Sequence, residues 1–97
     1  MTTFLLACHD KANSLDLRMA TREAHLAYAR QHTAIMKLAG PFLTAAGDMC
    51  GSLIILEAPD EAAVRAFNAE DPYTKAGLWD RVEITAFKAT LGGFKGD

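Results

Sequence analysis

Two short runs, FLLAC at 4–8 and LIIL at 53–56, are apolar at every position. Each has the length of a strand, and neither alternates as a strand with one wet face would. Both therefore need cover on two sides. The other elements limit what the chain can supply. TFLLAC (3–8) is the first strand, followed by a polar connection, HDKANSLDLRMA (9–20), long enough for a functional loop. Thr21 caps a first helix that runs to about Leu38 and stops at Gly40-Pro41. FLTAA reads as a second strand, GDMCG as a turn and SLIILEA as a third strand. Asp60 opens a second helix, DEAAVRAFNAE, with an acidic first turn that suits the helix dipole. Asp71-Pro72 ends it, because a residue before proline avoids the α region. YTKAG forms one more turn closed by Gly77, and RVEITAFKATL is a final strand with Val82, Ile84 and Ala86 on one face. The order βαββαβ is the ferredoxin-like pattern: an α+β subunit with a four-stranded antiparallel sheet and two helices on one face. That topology makes the two all-apolar strands central and leaves one sheet face bare. A second copy packed sheet to sheet is the simplest cover, so a homodimer is expected.

Length and charge narrow the function classes. The 97 residues make one domain, 1–97, with an ordered core to about residue 91 and a Gly-rich tail, GGFKGD, expected to fray. A net charge of −2 leaves no electrostatic footprint for nucleic acid. RNA binding on the sheet would also need exposed aromatics on the central strands, which carry Leu and Ile instead. The apolar runs are too short to cross a bilayer, and the N-terminus lacks the basic start and long apolar core of a signal peptide. The chain reads as soluble and cytoplasmic. Cys8 and Cys50 form neither a CxxC pair nor a disulfide framework, and Cys8 reads as a small buried hydrophobe. His9, His25 and His32 have no tight ligand spacing, so neither a metal nor another cofactor is expected.

Within ATREAHLAYARQH the two helix histidines sit on the dry side. With Arg22 as zero and about 100° per residue, Glu23, Arg30 and Lys37 cluster at roughly 60–100°. His25 and His32 fall near 300° and 280°, inside an apolar arc with Tyr28, Ala29, Ile35, Met36 and Ala39. A histidine in such a place is either a hydrogen-bonded core residue or a cleft residue. The topology separates them. The first helix begins, the second helix ends, the third strand begins and the first strand ends at one edge of the sheet. That edge gathers His9, Asp10, Arg18, Arg22, His25, Ser52, Asp71 and Tyr73, whereas His32 lies two turns along and reads as structural.

A carboxylate beside a histidine accepts from one ring nitrogen, fixes the tautomer and makes the other nitrogen more basic. Asp71, restrained by Pro72, suits that task, although it can also simply cap a turn. Arg22, one turn before His25, can hold an anionic oxygen of a ligand, or be a solvated charge. Ser52 can donate a hydrogen bond or only begin a strand. Asp10, Arg18 and Tyr73 complete the candidate ligand-binding set. No phosphate loop and no nucleophile elbow are present.

In order along the chain, LRMATREAHLAYARQH, AGP, GSLIILEA, DPYTKAGLW and VEITAFK resemble the YCII-related proteins, from the first strand to about Lys88. The combination of R-x-x-H-L with a later D-P-Y-x-x-A-G carries the likeness. The resemblance implies a dimeric α+β barrel of ferredoxin-like subunits. It also implies a His–Asp site, which falls on His25 and Asp71 with Arg22 and Ser52 nearby. Muconolactone isomerases share that barrel, and one branch of the family resembles dehydrochlorinases of ring compounds. The leading expectation is a cofactor-free enzyme moving protons on a small oxygenated ring or unsaturated acid, as an isomerase or lyase. In it Arg22 and Ser52 steady charge on an enolate or phenolate oxygen. The alternative is a module that binds a small metabolite in the same pocket, or an accessory protein, without turnover.

Overall fold

The computed structural model describes residues 1–93. Along the chain run β1 (Thr2–Asp10), α1 (Leu15–Arg30), β2 (Met36–Leu43), β3 (Met49–Ala58), α2 (Glu61–Glu70), the short α3 (Pro72–Lys75) and β4 (Trp79–Phe87). The four strands form one antiparallel sheet in the order β2-β3-β1-β4. This is the expected α+β ferredoxin-like architecture, with β1 and β3 central. The frayed tail expected at 92–97 lies, for residues 94–97, outside the described residues. No helix among the described residues is long and apolar enough to cross a membrane.

Alternation along the central strands divides the sheet into two faces. Phe4, Leu6 and Cys8 of β1 and Ile54, Leu56 and Ala58 of β3 are buried beneath Val64 and Phe67 of α2. Leu5, Ala7, Leu53 and Ile55 point the other way and are only half-buried. Leu38 and Phe87, whose strand partners Ile55 and Thr3 lie on that second face, are 41% and 43% exposed. The centre of the second face is thus apolar, and no helix among the described residues packs on it. At its site end His9 and Phe42 stack at 5.3 Å and 11° across Gly51, which pairs with both. A Cβ on Gly51 would come within 2.6 Å of the Cys8 carbonyl oxygen and 2.8 Å of the Phe42 ring, so only glycine fits.

The first helix and second strand depart from the sequence reading. There is no 9–20 loop: residues 9–10 belong to β1, and α1 starts at Leu15 after a turn in which Asn13 takes φ +57°. Asn tolerates that left-handed conformation better than most residues. Thr21 is not a cap; its hydroxyl donates to the Leu17 carbonyl at 2.8 Å from inside the helix. At the other end α1 stops at Arg30, and Gly40-Pro41 lies inside β2 rather than after a helix. Proline fits there because β2 is an edge strand, where a missing N–H removes little pairing. Ile35, Met36, Lys37 and Ala39 therefore belong to a turn and a strand, not to faces of the helix. The α2–α3 segment follows expectation. Asp60 caps α2 through Ala63 N–H at 2.9 Å, Asp71 is extended at φ −64°, ψ 129° before Pro72, and Gly77 closes the extra turn at φ +75°.

Candidate active site

Asp71 stands at the junction of α2 and α3 and is 1% exposed. Its Oδ1 accepts the Tyr73 N–H at 2.9 Å, which fixes the carboxylate as an N-cap of α3. From α1, His25 Nδ1 reaches the same carboxylate at 2.9 Å from Oδ1 and 3.1 Å from Oδ2. An ionised carboxylate only accepts, so Nδ1 donates to it, and Nε2 is the ring nitrogen left to take up or give a proton. The imidazole is held in plane by stacking on the Tyr73 ring, with centroids 4.2 Å apart and 18° between planes. Its side chain is 13% exposed, against 1% for that of Asp71. The pair is a histidine at a mouth with its carboxylate behind it.

One turn and two turns earlier on α1, Arg22 and Arg18 face the same way. Arg18 is 2% exposed; Nε and Nη2 grip the two Asp10 oxygens at 2.7 and 3.0 Å, and Nη2 also donates to Ser52 Oγ at 2.9 Å. Its guanidinium lies over Tyr73, 4.6 Å from the ring centre. Arg22 is half-buried, and no hydrogen bond or ion pair holds it among the described residues. Its charge acts on Tyr73, whose phenol burial pushes up while Arg18 and Arg22 pull it down, a net rise. Tyr73 therefore stays a neutral donor at physiological pH.

These side chains wall a cleft of about 280 Å³ between α1 and the β2–β3 edge, with Leu26, Met36, Pro41 and Ile54 as its apolar lining. The volume lies near the lower end of small-molecule sites, which begin around 300 Å³. Of the residues singled out in the sequence, Arg18, Arg22, His25, Ser52 and Tyr73 line the cleft, and Asp71 stands behind His25. Asp10 does not line it and instead anchors Arg18 from behind. His9 turns to the opposite sheet face, where Nε2 meets Glu83 at 3.2 Å. His32 follows α1 as a packed residue, its Nδ1 2.9 Å from the Tyr28 carbonyl and its ring against Tyr28 and Phe67. Among the described residues no group of three or more His, Cys, Asp or Glu is placed to hold a metal ion.

Two contributions were not read from the sequence. The β2 wall, Ala39 to Pro41, was hidden by assigning Gly40-Pro41 to a helix stop. A partly buried polar chain beside Tyr73 was also missed: Trp79 Nε1 donates to Thr74 Oγ1 at 2.9 Å, and Thr74 donates to Asn68 Oδ1 at 3.2 Å. The Cys8 thiol meets the same Asn68 oxygen at 3.8 Å. Burial, with Asp71 adding to it, pushes that thiol up to about 12, so Cys8 is a packing residue and not a nucleophile. The polar residues of the α3 turn carried the only sequence signal, a Trp two residues after its closing glycine.

Known proteins resemble this chain in sequence and fold. The protein YciI of Escherichia coli O6:H1 is 31% identical over 93 residues, covering 88% of this chain and 95% of that one. The dehydrochlorinase of 5-chloro-2-hydroxyhydroquinone, TftG, from Burkholderia phenoliruptrix AC1100 superposes with a TM-score of 0.87 at 35% identity. The match covers 91% of this chain and 95% of that one, and TftG was solved with 2,5-dihydroxybenzoquinone. An antibiotic biosynthesis monooxygenase matches at TM-score 0.57 and 16% identity over 94% of this chain and 100% of its own, a likeness of fold alone. The YCII-related domain model matches residues 2–88. With that match spanning both the sheet and every wall of the cleft, the chain belongs to the YCII-related family.

Proposed function

We propose that the chain is a proton-transfer enzyme acting on a small oxygenated ring, of the lyase type that eliminates HCl from a chlorinated hydroquinone. The observation that carries this reading is the His25–Asp71 pair at 2.9 Å, opening on a cleft lined by Arg22, whose charge is unpaired among the described residues. The relation to TftG supports the ring class and the reaction type. His25 Nε2 is the proton carrier. Asp71 keeps Nδ1 protonated and stabilises the imidazolium when Nε2 is loaded. Arg22 offsets the negative charge that builds on a ring oxygen.

The step balances without an added oxidant. Two phenolic protons leave their oxygens; His25 delivers one to the chlorine-bearing carbon, and the other goes to solvent. The C–Cl electron pair departs with chloride, and the two oxygens become quinone carbonyls. The ring is oxidised by two electrons as the carbon–chlorine bond is reduced to carbon–hydrogen. Incubation of the protein with 5-chloro-2-hydroxyhydroquinone under nitrogen, followed by chloride electrode and quinone absorbance, is expected to show equal release of both. Binding of 2,5-dihydroxybenzoquinone with no chloride release would favour a metabolite-binding module over an enzyme.

We further propose that two copies pack through the bare sheet face. Leu5, Ala7, Leu53 and Ile55 form a strip at its centre that no helix or strand among the described residues covers. Leu53→Asp would place an unpaired charge in a dry contact, a change that costs several kcal/mol. Sedimentation velocity at micromolar concentration should show a dimer for the wild type and monomer or unfolded chain for the variant. A monomeric wild type would overturn the shared-sheet argument.

A further inference from the structure

The cleft changes character along its length. Arg18 and Arg22 line it near the start of α1, and His25 follows Arg22 one turn on. Ala29, on the same wall, lies roughly 10 Å farther along the helix than Arg22, at about 1.5 Å per residue. The strand wall leads the same way. Pro41 pairs with Ser52, Ala39 with Ile54 and Met36 with Leu56, so this wall turns apolar as α1 does. Leu26, Ala29, Met36, Ala39 and Ile54 make the far end, and none has an oxygen or nitrogen in its side chain.

The chain itself shuts that end. α1 stops at Arg30 and β2 starts at Met36, so the two walls are joined across residues 31–35. The joint is hydrogen-bonded. His32 N–H donates to the Ala29 carbonyl at 2.9 Å, and the N–H groups of Ile35 and Met36 donate to the His32 carbonyl at 3.2 Å. A ligand here meets a polar end that can grip it and an apolar end of limited depth. A polar group pushed into the apolar end would lose water without gaining a side-chain partner, whereas an apolar group gains by leaving water.

We propose that this far end is a subsite for a short alkyl chain, carried on the ring across from the oxygen that Arg22 faces. The substrate class is then an oxygenated ring alkylated opposite that oxygen, rather than a bare ring. This rests on the cleft being the ligand site of the proposed function, and it adds what else the ring carries. Ala29 and Ala39, one from each wall, set the room available, and a larger side chain at either would occupy it.

The probes are phenol and its 4-methyl, 4-ethyl, 4-propyl and 4-hexyl derivatives, titrated calorimetrically into the wild-type protein. Affinity should rise about threefold per carbon up to propyl, close to the gain for burying a CH2 group. The hexyl compound should gain no more. The 2-alkyl isomers should show no rise, because their chain cannot reach the far end while the oxygen stays with Arg22. Ala29→Leu keeps a strong helix former, and Ala39→Val suits a strand. In each, once a melt shows it folded, 4-propylphenol should bind less than threefold more tightly than phenol. A flat 4-alkyl series, an equal rise among the 2-alkyl isomers, or a rise that continues to hexyl would each overturn the subsite. So would no binding of any member at millimolar concentration, or two folded variants that both keep the full increment. The subsite and the reaction fail separately. A 4-alkyl rise without chloride release from the chlorinated hydroquinone keeps the subsite and removes the lyase. Chloride release with a flat series does the reverse.

Discussion

Asparagine at position 71 is expected to slow turnover by about 10²–10⁴-fold, the scale at which positioned acid–base groups act, while the chain stays folded. The substitution is nearly isosteric, and an Asn oxygen can still accept the Tyr73 N–H that the carboxylate now takes at 2.9 Å. What it removes is charge. Without it the preference for a proton on Nδ1 over Nε2 rests on a neutral amide oxygen alone, and no carboxylate stabilises the imidazolium formed in mid-reaction. Nitrogen chemical shifts of the His25 ring should report one tautomer in the wild type, with Nδ1 protonated, and a mixture in Asp71→Asn. His25→Asn should lose as much rate, and the double variant little more, because two residues acting as a unit are not additive. Unchanged turnover and unchanged ring shifts in a folded Asp71→Asn would mean that the contact is only a helix cap.

The sheet order was legible because it follows from element types, and those follow from the strand length of runs such as LIIL and from the acidic start and helical spacing of DEAAVRAF. The edges of α1 were not. Thr21 looks like a cap, whereas the helix starts at Leu15, where tertiary contact holds it: Arg18, in the first turns, is drawn in by Asp10 and Ser52. The sequence reading therefore began the helix too late. It also ended it too late, since Gly40-Pro41 carries the same signal in an edge strand as after a helix. The gathering of His25, Asp71, Arg18 and Ser52 survived these errors because it depends on which ends of elements share a sheet edge, not on their boundaries. His9 shares that edge but not the cleft. Its parity on β1 sets it on the opposite face from Cys8, and the placement by edge ignored parity.

Asp10→Ala is expected to be among the most destabilising single substitutions in the chain. Arg18 and Asp10 are 2% and 6% exposed in their side chains and meet through two hydrogen bonds. Such a pair contributes little net stability when intact, since desolvation offsets attraction. Removing one partner is different. A guanidinium would remain buried, facing Ser52 and the Tyr73 ring with no countercharge, and breaking buried pairs in this way costs about 3–5 kcal/mol. At roughly 4–8 °C per kcal/mol for a domain near this size, the midpoint should fall by more than about 12 °C. The measurement is a calorimetric melt at fixed protein concentration, because any dimer makes the midpoint concentration-dependent. Asp10→Leu combined with Arg18→Met separates charge from shape. If the loss comes from an orphaned charge, removing both partners should recover much of it. If the double variant melts as low as Asp10→Ala, the pair matters through the fit of α1 against the end of β1. A near-native melt for Asp10→Ala itself would show that Arg18 finds water through the cleft, and that Asp10 is not what holds it.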